Sequence, residues 1–170
     1  MGNELDDILL LAGVRNSNEG GEPSEDPEDY FKAGLFLLKR ERYQQALGAF
    51  RQALSLKKDD ARYMSYFGLC LAKATGRVRE GATLCETAAR KEFFRPEMFL
   101  NLGMVYVLGN EKKKAHMVFR KGLSIDRDNA DIKAELMKMG VRKSPVFPFL
   151  DRQSPVNKLA GKVLSRLHLR

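Results

Sequence analysis

Small residues recur in this chain with a period of 34 or 35 positions. Glycines stand at Gly34, Gly68 and Gly103, and three further series keep the same spacing. A period of this length indicates a repeat array in which each unit is a pair of helices. Such a chain folds by stacking its units, because no unit can bury its apolar face alone. The further series are Ala46, Gly81, Ala115; Phe50, Cys85, Phe119; and Ala53, Ala88, Gly122.

Each glycine of the first series lies within an apolar helical face. Apolar residues stand four positions before it, one position before it and three positions after it. Residues at these intervals fall on one side of an α-helix, so we expect each unit to begin with a helix that buries this side. The residues are Tyr30, Ala33 and Leu37 in the first unit, Met64, Phe67 and Leu71 in the second, and Phe99, Leu102 and Tyr106 in the third.

This pattern resembles the tetratricopeptide repeat (TPR) family, whose unit of about 34 residues reads aromatic-x-x-Leu-Gly-x-x-Tyr and then Ala-x-x-x-Phe. Three units match over residues 27–128. The second unit departs most, with Met64 in the aromatic place and with Gly81 and Cys85 for Ala and Phe. It also has one extra residue near Gly76, which predicts a longer turn. The resemblance implies an all-α fold in which three helix hairpins form a short right-handed α-solenoid.

Three segments make up the predicted organisation. We expect an acidic, flexible N-terminal arm over residues 1–27, a TPR domain with a capping helix over residues 28–139, and a basic C-terminal tail over residues 140–170. The tail contains an extended segment and a C-terminal amphipathic helix. Extra helices of this kind cover the apolar end of a repeat array.

The capping helix is predicted at 130–139, with Asp128 or Asn129 as its N-cap and Gly140 as its stop. The amphipathic helix is predicted at 155–167, with an apolar stripe on one side and lysines on the other. That helix can pack on the repeats as a further cap, dock into a partner, or lie on an anionic membrane. Packing on the repeats ranks first among these, and the membrane ranks last because one short helix anchors weakly.

Charge is divided unevenly along the chain. Residues 1–29 hold nine acids and the single base Arg15, so this segment has a net charge of −8 and the remainder has +16. The basic runs are predicted at helix ends and turns, where cations favour the helix C-terminus. Partners can be acidic, or the two halves can attract each other. The basic runs are Lys39-Arg40-Glu41-Arg42, Lys57-Lys58, Arg77-Val78-Arg79 and Lys112-Lys113-Lys114.

The resemblance implies that the first helix of each unit lines an inner surface that binds peptides. The best-known variant of the family grips a chaperone's C-terminal carboxylate with Lys and Asn side chains. Here Phe31, Leu35 and Leu100 occupy three of the matching places, so we do not predict that clamp. The predicted peptide-binding residues are Phe31, Leu35, Leu38, Ser65, Leu69, Ala72, Leu100, Asn101, Met104 and Val107.

An exposed apolar groove of this kind is expected to have an occupant, because large uncovered apolar patches are uncommon. Two segments of the chain itself qualify. One is Ser144–Leu150, in which two prolines favour an extended backbone. The other is Leu5–Ala12, in which Ile8 to Leu11 are consecutive apolar residues within the acidic arm.

No catalytic constellation is present in the sequence. The only histidines, His116 and His168, have no nucleophile at motif spacing. Cys70 and Cys85 fall at apolar positions of repeat helices, which favours buried, inert thiols. We therefore predict no enzyme activity, no cofactor and no metal. The acidic N-terminus and the two cysteines favour a cytoplasmic location.

The sequence thus predicts a protein-interaction adaptor or chaperone-like module that binds a protein or peptide segment in an apolar groove, with its own tails as regulators. The alternative is a basic scaffold that binds RNA, DNA or an anionic membrane surface. Nucleic acid is disfavoured because the groove stripe offers only Phe31 for stacking. A membrane contact would be peripheral at most.

Overall fold

The computed structural model describes residues 25–140 and 154–166, and within them it has eight helices and no strand. Most of the predicted N-terminal arm and the whole of Ser144–Leu150 lie outside the described residues. The chain divides into one unit over Met1–Lys138 and a second over Met139–Arg170. The helices are α1 (Pro27–Lys39), α2 (Tyr43–Leu56), α3 (Ala61–Thr75), α4 (Val78–Lys91), α5 (Pro96–Leu108), α6 (Lys112–Ile125), α7 (Ala130–Lys138) and α8 (Pro155–Arg166).

The first seven helices form three hairpins and a cap. Helix α1 packs on α2, α3 on α4, and α5 on α6, while α2 contacts α3 and α4 contacts α5. Helix α3 also packs directly on α5, and α7 contacts both α5 and α6. The predicted all-α solenoid of three hairpins with a capping helix is therefore confirmed.

The first helix of each hairpin starts where the sequence places a cap or a proline. Asp26 accepts a hydrogen bond from the Glu28 backbone N–H at 2.9 Å, and Pro27 is the first residue of α1. Asp60 caps α3 by accepting from the N–H groups of Arg62 and Tyr63. These contacts satisfy N–H groups that a helix leaves without partners at its start.

The second helix of each hairpin follows a residue in the left-handed backbone region. These residues are Glu41, Gly76 and Asn110, with φ of 59°, 72° and 58°. They are themselves spaced by 35 and 34 positions, so the turn belongs to the repeat. The left-handed residue reverses the chain and ends the preceding helix.

The prediction that the extra residue of the second unit lengthens its turn is wrong. Helix α3 has 15 residues, whereas α1 and α5 have 13 each. Only Gly76 and Arg77 separate α3 from α4, whereas three residues separate α1 from α2. The extra residue continues the helix because the residue that ends it, Gly76, comes one position later.

Small residues allow the two helices of a hairpin to touch, but they do so in two ways. In the first and third units the ring of Phe50 or Phe119 lies against Gly34 or Gly103, and a Cβ on Gly34 would come within 2.5 Å of Phe50 Cε1. In the second unit Cys85 replaces the ring, and a Cβ on Gly68 would instead meet the carbonyl oxygen of Gly81 at 2.8 Å. All twelve residues of the four repeating series are buried.

The capping helix begins at Asn129, whose side-chain oxygen accepts a hydrogen bond from the Ile132 N–H at 3.1 Å. Of the two predicted N-caps, the structure therefore uses Asn129. Gly140 has a φ of 86°, as a helix stop requires. Helix α8, which belongs to the separate unit Met139–Arg170, exposes Val156, Leu159 and Val163, three residues of the predicted apolar stripe.

Candidate interaction groove

Helices α1, α3, α5 and α7 line a groove of about 500 Å³. Its walls are mostly aliphatic and its ends carry charged side chains. The volume falls within the range of about 300–1,000 Å³ that is typical of ligand sites. The lining residues are Leu35, Leu38, Lys39, Glu41, Tyr43, Tyr66, Leu69, Lys73, Leu100, Asn101, Met104, Val107, Leu108, Asp131, Ala134, Glu135 and Lys138.

The structure brings seven of the ten predicted residues together in this lining. They span the three repeats; six of them are apolar and form the wall, and the seventh, Asn101, is a buried amide. They are Leu35, Leu38, Leu69, Leu100, Asn101, Met104 and Val107.

The other three predicted residues are buried in helix packing and do not line the groove. Phe31 lies in an aromatic cluster, with ring centroids 4.9 Å from Tyr63 and 5.3 Å from Tyr66. Ser65 accepts hydrogen bonds within the core, and Ala72 faces Gly81 of α4.

Several lining residues were missed by the sequence reasoning. Continuing the predicted stripes by four further positions reaches Lys39 from Leu35 and Lys73 from Leu69, so a signal for these two was present. Tyr66 directly follows the predicted residue Ser65 on α3, but it lies outside the predicted stripe of that helix. The contribution of α7 had no such signal, because that helix was predicted only as a cap.

The floor of the groove contains a small polar group. The Asn101 amide is almost fully buried, and its Nδ2 donates a hydrogen bond to Ser65 Oγ at 3.1 Å. Burial raises the pKa of the Tyr66 hydroxyl, and the carboxylates of Glu97 and Asp131 raise it further, against the opposing effect of Asn101. Tyr66 is therefore a neutral hydrogen-bond donor in an otherwise aliphatic wall.

The two ends of the groove differ in charge. The last turns of α1, α3 and α7 place Lys39, Lys73 and Lys138 at one end, which we call the lysine end. Lys138 pairs with Glu135 at 2.7 Å. This pairing raises the pKa of the Lys138 ammonium, and the nearby Glu41 carboxylate acts in the same direction. Within the described residues, Lys39 and Lys73 have no carboxylate at ion-pair distance. Lys73 instead contacts the Tyr43 hydroxyl at 3.4 Å.

The opposite end is formed by the first turns of the same helices, and we call it the acidic end. Asp131 in the first turn of α7 lines the groove there. Glu97 in the first turn of α5 is close enough to raise the pKa of the Tyr66 hydroxyl. Arg62 pairs with Glu28 at 3.0 Å and so contributes no uncompensated positive charge. Glu41 and Glu135 also line the lysine end, so its three lysines leave a net charge of +1 there, against the negative charge of Asp131 at the acidic end. The groove is therefore weakly polarised, from net positive at the last turns to negative at the first turns.

The expectation that the basic runs lie where the helix dipole favours cations is wrong for two of them. Arg77 is the N-cap of α4 and Arg79 lies in its first turn, where Arg77 pairs with Glu80. Lys112, Lys113 and Lys114 form the first turn of α6, which contains no acid. A cation near a helix N-terminus is disfavoured by about 0.3–1 kcal/mol. Lys114 pairs with Glu111, but in the described residues Lys112 and Lys113 have no ion pair.

Both cysteines are buried and unbonded to each other. Burial raises the pKa of Cys70 to about 12 and that of Cys85 to about 12, so both stay protonated at neutral pH. Over residues 25–140 and 154–166, no three His, Cys, Asp or Glu side chains are grouped as a metal site would need. None of the helices in these ranges is long and apolar enough to cross a membrane.

Comparison with known proteins identifies the repeat. Residues 96–129, which cover α5, α6 and the loop before α7, match the family model described as tetratricopeptide repeat. A comparison with curated protein sequences gives no significant match.

Several solved structures with the same arrangement are TPR domains. The TPR domain of Arabidopsis OM64 is 17% identical over 68% of this chain and 94% of its own, with a TM-score of 0.57. The Sgt2 TPR domain from Aspergillus fumigatus is 19% identical over 70% and 82%, with a TM-score of 0.58. The second TPR domain of human RPAP3, in complex with the HSP70 peptide SGPTIEEVD, is 16% identical over 68% and 99%, with a TM-score of 0.54. At these identities the likeness shows a shared fold.

Proposed function

We propose that this chain, which is a small tetratricopeptide repeat protein of three repeats, binds an apolar segment of another protein in the groove of α1, α3, α5 and α7. The observation that carries the proposal is the aliphatic lining contributed by all three repeats, with Leu35, Leu69, Leu100 and Met104 facing one space. A half-buried apolar groove of this kind is typical of a protein interaction site.

The chemistry of the groove favours apolar side chains over a terminal carboxylate as the recognised feature. RPAP3 supports a peptide ligand, since its second TPR domain is solved with an HSP70 peptide. In this chain, however, Leu35 and Leu100 stand where the clamp residues are expected, and Phe31 is buried in the aromatic cluster. Tyr66, held from below by the buried Asn101 amide, then supplies a polar contact for a peptide backbone.

Such a groove serves either an adaptor or a chaperone-like module. An adaptor holds a defined segment of a folded partner, whereas a chaperone-like module shields an apolar segment of a client before it folds. Burying one Leu- or Phe-sized side chain contributes about 1.5–3 kcal/mol, so a few anchors suffice for either role. The two buried free thiols favour a reducing setting such as the cytoplasm.

The test is a selection of peptides from a random display library on the full chain, followed by affinity measurements on two variants. Met104→Glu places a carboxylate in the apolar wall, whereas Met117→Glu places one on α6, where the side chain is 71% exposed. We expect selected peptides to be rich in apolar residues and to lose at least about tenfold in affinity on Met104→Glu. Their affinity for Met117→Glu should be unchanged.

A second candidate, the basic scaffold, is favoured by the lysines in the first turn of α6, whose position opposes the helix dipole. Affinity for a short RNA or for anionic vesicles would then fall steeply with salt and would be insensitive to Met104→Glu. Selected peptides that bind Met104→Glu as well as they bind the natural chain would contradict the groove proposal.

A further inference from the structure

We propose that residues 4–15 of this same chain occupy the groove and compete with partner proteins for it. This inference rests on the groove function proposed above and adds a specific regulator to that function. The order of charges along the segment complements the order of charges along the groove, and the chain that joins the two is long enough for the segment to dock.

The groove offers three successive environments. The lysine end has Lys39 and Lys73, neither of which has a carboxylate at ion-pair distance among the described residues, and with Lys138, Glu41 and Glu135 it carries a net charge of +1. The middle is aliphatic over the stretch of α5 from Leu100 to Leu108, which is about 12 Å long at 1.5 Å per residue. The acidic end has Asp131 in the lining and Glu97 nearby.

The segment has the complementary three parts in one direction. Glu4, Asp6 and Asp7 come first, followed by the apolar run of residues 8–12 and then by Arg15. In an extended chain the apolar run covers about 13 Å, which matches the aliphatic stretch. Acids placed at the lysine end therefore bring Arg15, the only base in residues 1–29, toward the acidic end.

The connection to α1 allows this direction. The segment joins the described structure at the first turn of α1, which is on the same side of the array as the acidic end. Twelve residue steps separate Arg15 from Pro27. A coil of this length has a root-mean-square span of about 17–21 Å. That covers about two of the three interhelix steps of about 10 Å from α1 to α7, and the fully extended tether spans about 40 Å, so it can reach the far wall.

The other candidate segment of the chain fits less well. Arg142 and Lys143 precede the apolar stretch 144–150, and Asp151 follows it. This stretch joins the array at the last turn of α7, so the bases lie nearest the lysines of the groove and the acid lies farthest from them. Like charges then meet at the lysine end, which costs binding energy.

The test measures the binding of a labelled peptide of residues 3–16 to full-length proteins. Wild type is compared with a full-length variant in which Ile8→Asp and Leu10→Asp disable the attached segment. With an effective concentration of order 1 mM and a peptide Kd of order 100 µM, the disabled variant should bind the free peptide about tenfold more tightly than wild type. Adding Met104→Glu to the disabled variant should abolish that binding.

A charge reversal tests the direction of the segment. In the disabled variant, Lys39→Glu with Lys73→Glu should weaken the peptide by at least about tenfold, and a peptide carrying Asp6→Lys and Asp7→Lys should recover affinity for that protein. Lys32→Glu with Lys58→Glu is the matched control, because both side chains are exposed and outside the groove lining. It changes net charge equally and should leave the peptide affinity unaltered.

Three results would overturn the inference. The first is equal binding of the free peptide by wild type and the disabled variant. The second is stronger binding of a peptide of residues 141–152 than of residues 3–16. The third is concentration-dependent dimerisation of wild type that the disabling substitutions remove, because the segment would then occupy a second copy. If library-selected peptides still depend on Met104 while the residue 3–16 peptide does not bind, only this inference fails and the groove function stands.

Discussion

The carbonyl oxygen of Gly81 lies 2.8 Å from the point where a Cβ on Gly68 would stand, and the Gly68 carbonyl lies 2.5 Å from the equivalent point on Gly81. Helices α3 and α4 thus meet backbone against backbone. The small side chain of Cys85, in the place of the phenylalanine of the other two units, leaves room for this contact. The departures of the second unit from the family pattern are therefore coupled to one another.

Gly68→Ala and Gly81→Ala should each lower the free energy of unfolding by about 1–3 kcal/mol, because the added Cβ meets a carbonyl that cannot rotate away. This holds for Gly81 even though alanine stands at the equivalent Ala46 and Ala115. Gly48→Ala is the control, since Gly48 is an exposed residue of α2 with no atom near its Cβ position, and it should gain about 0.5–1 kcal/mol. Urea unfolding measures all three. A Gly81→Ala protein as stable as wild type would refute the close contact.

Glu41→Gly should stabilise the protein by about 0.5–1 kcal/mol, because Glu41 adopts a left-handed φ of 59° that disfavours a side chain. Asn110→Gly should gain less, since asparagine tolerates this region better than glutamate does. Gly76→Ala should lower the free energy of unfolding by about 1 kcal/mol, because Gly76 is the equivalent left-handed residue of the second repeat. Thermal unfolding that ranks Glu41→Gly below wild type would contradict the shared turn geometry.

Ser65 and Asn101 should be energetically coupled, because the buried Nδ2 of Asn101 donates to the Ser65 hydroxyl. Ser65→Ala and Asn101→Leu should each cost about 1–3 kcal/mol, since each leaves one buried polar group without its partner. The double variant should cost less than the sum by about 1 kcal/mol. A double-mutant cycle in urea measures the coupling, and strict additivity of the two losses would contradict it.

Asp60→Ala should cost about 1–2 kcal/mol at pH 7 through loss of the α3 N-cap. Although burial acts to raise it, the pKa of Asp60 is held below its usual 3.8 by Lys57, the Tyr63 N–H and Arg62. A lowered folded-state pKa makes the carboxylate's contribution full above the unfolded value and progressively lost as pH falls through the folded value. The difference from wild type should therefore be constant from pH 7 to pH 5 and shrink below pH 3.8. A difference that grows on acidification would contradict this assignment.

The fold could be predicted because its main constraint is periodic in the sequence. Gly34, Gly68 and Gly103 recur where two helices touch, and that spacing alone fixes the number of hairpins. Whether the extra residue of the second unit enters a helix or a turn depends on which residue adopts the left-handed conformation. Gly76 shares the period with Glu41 and Asn110, and all three adopt the left-handed conformation. A pattern of apolar faces does not show which residue of a turn adopts that conformation.

The groove could be predicted only in part, because a stripe along one helix does not say which neighbour covers it. Phe31 and Leu35 belong to one stripe, yet Phe31 is covered by Tyr63 and Tyr66 of the next unit while Leu35 lines the groove. Contacts between units decide this, and they do not repeat exactly because the units differ. The wall formed by α7 also depends on packing beyond the third repeat.

The most direct test of the central claim is a methyl NMR titration of the methionine-labelled full chain with a library-selected peptide. Met104 lines the groove, and Met117 is an exposed reporter beside the α6 lysines. If peptides bind in the groove, the Met104 methyl resonance shifts and saturates as peptide is added, while the Met117 resonance does not move. A shift of Met117 with Met104 unchanged would contradict that claim and place binding on the basic face of α6.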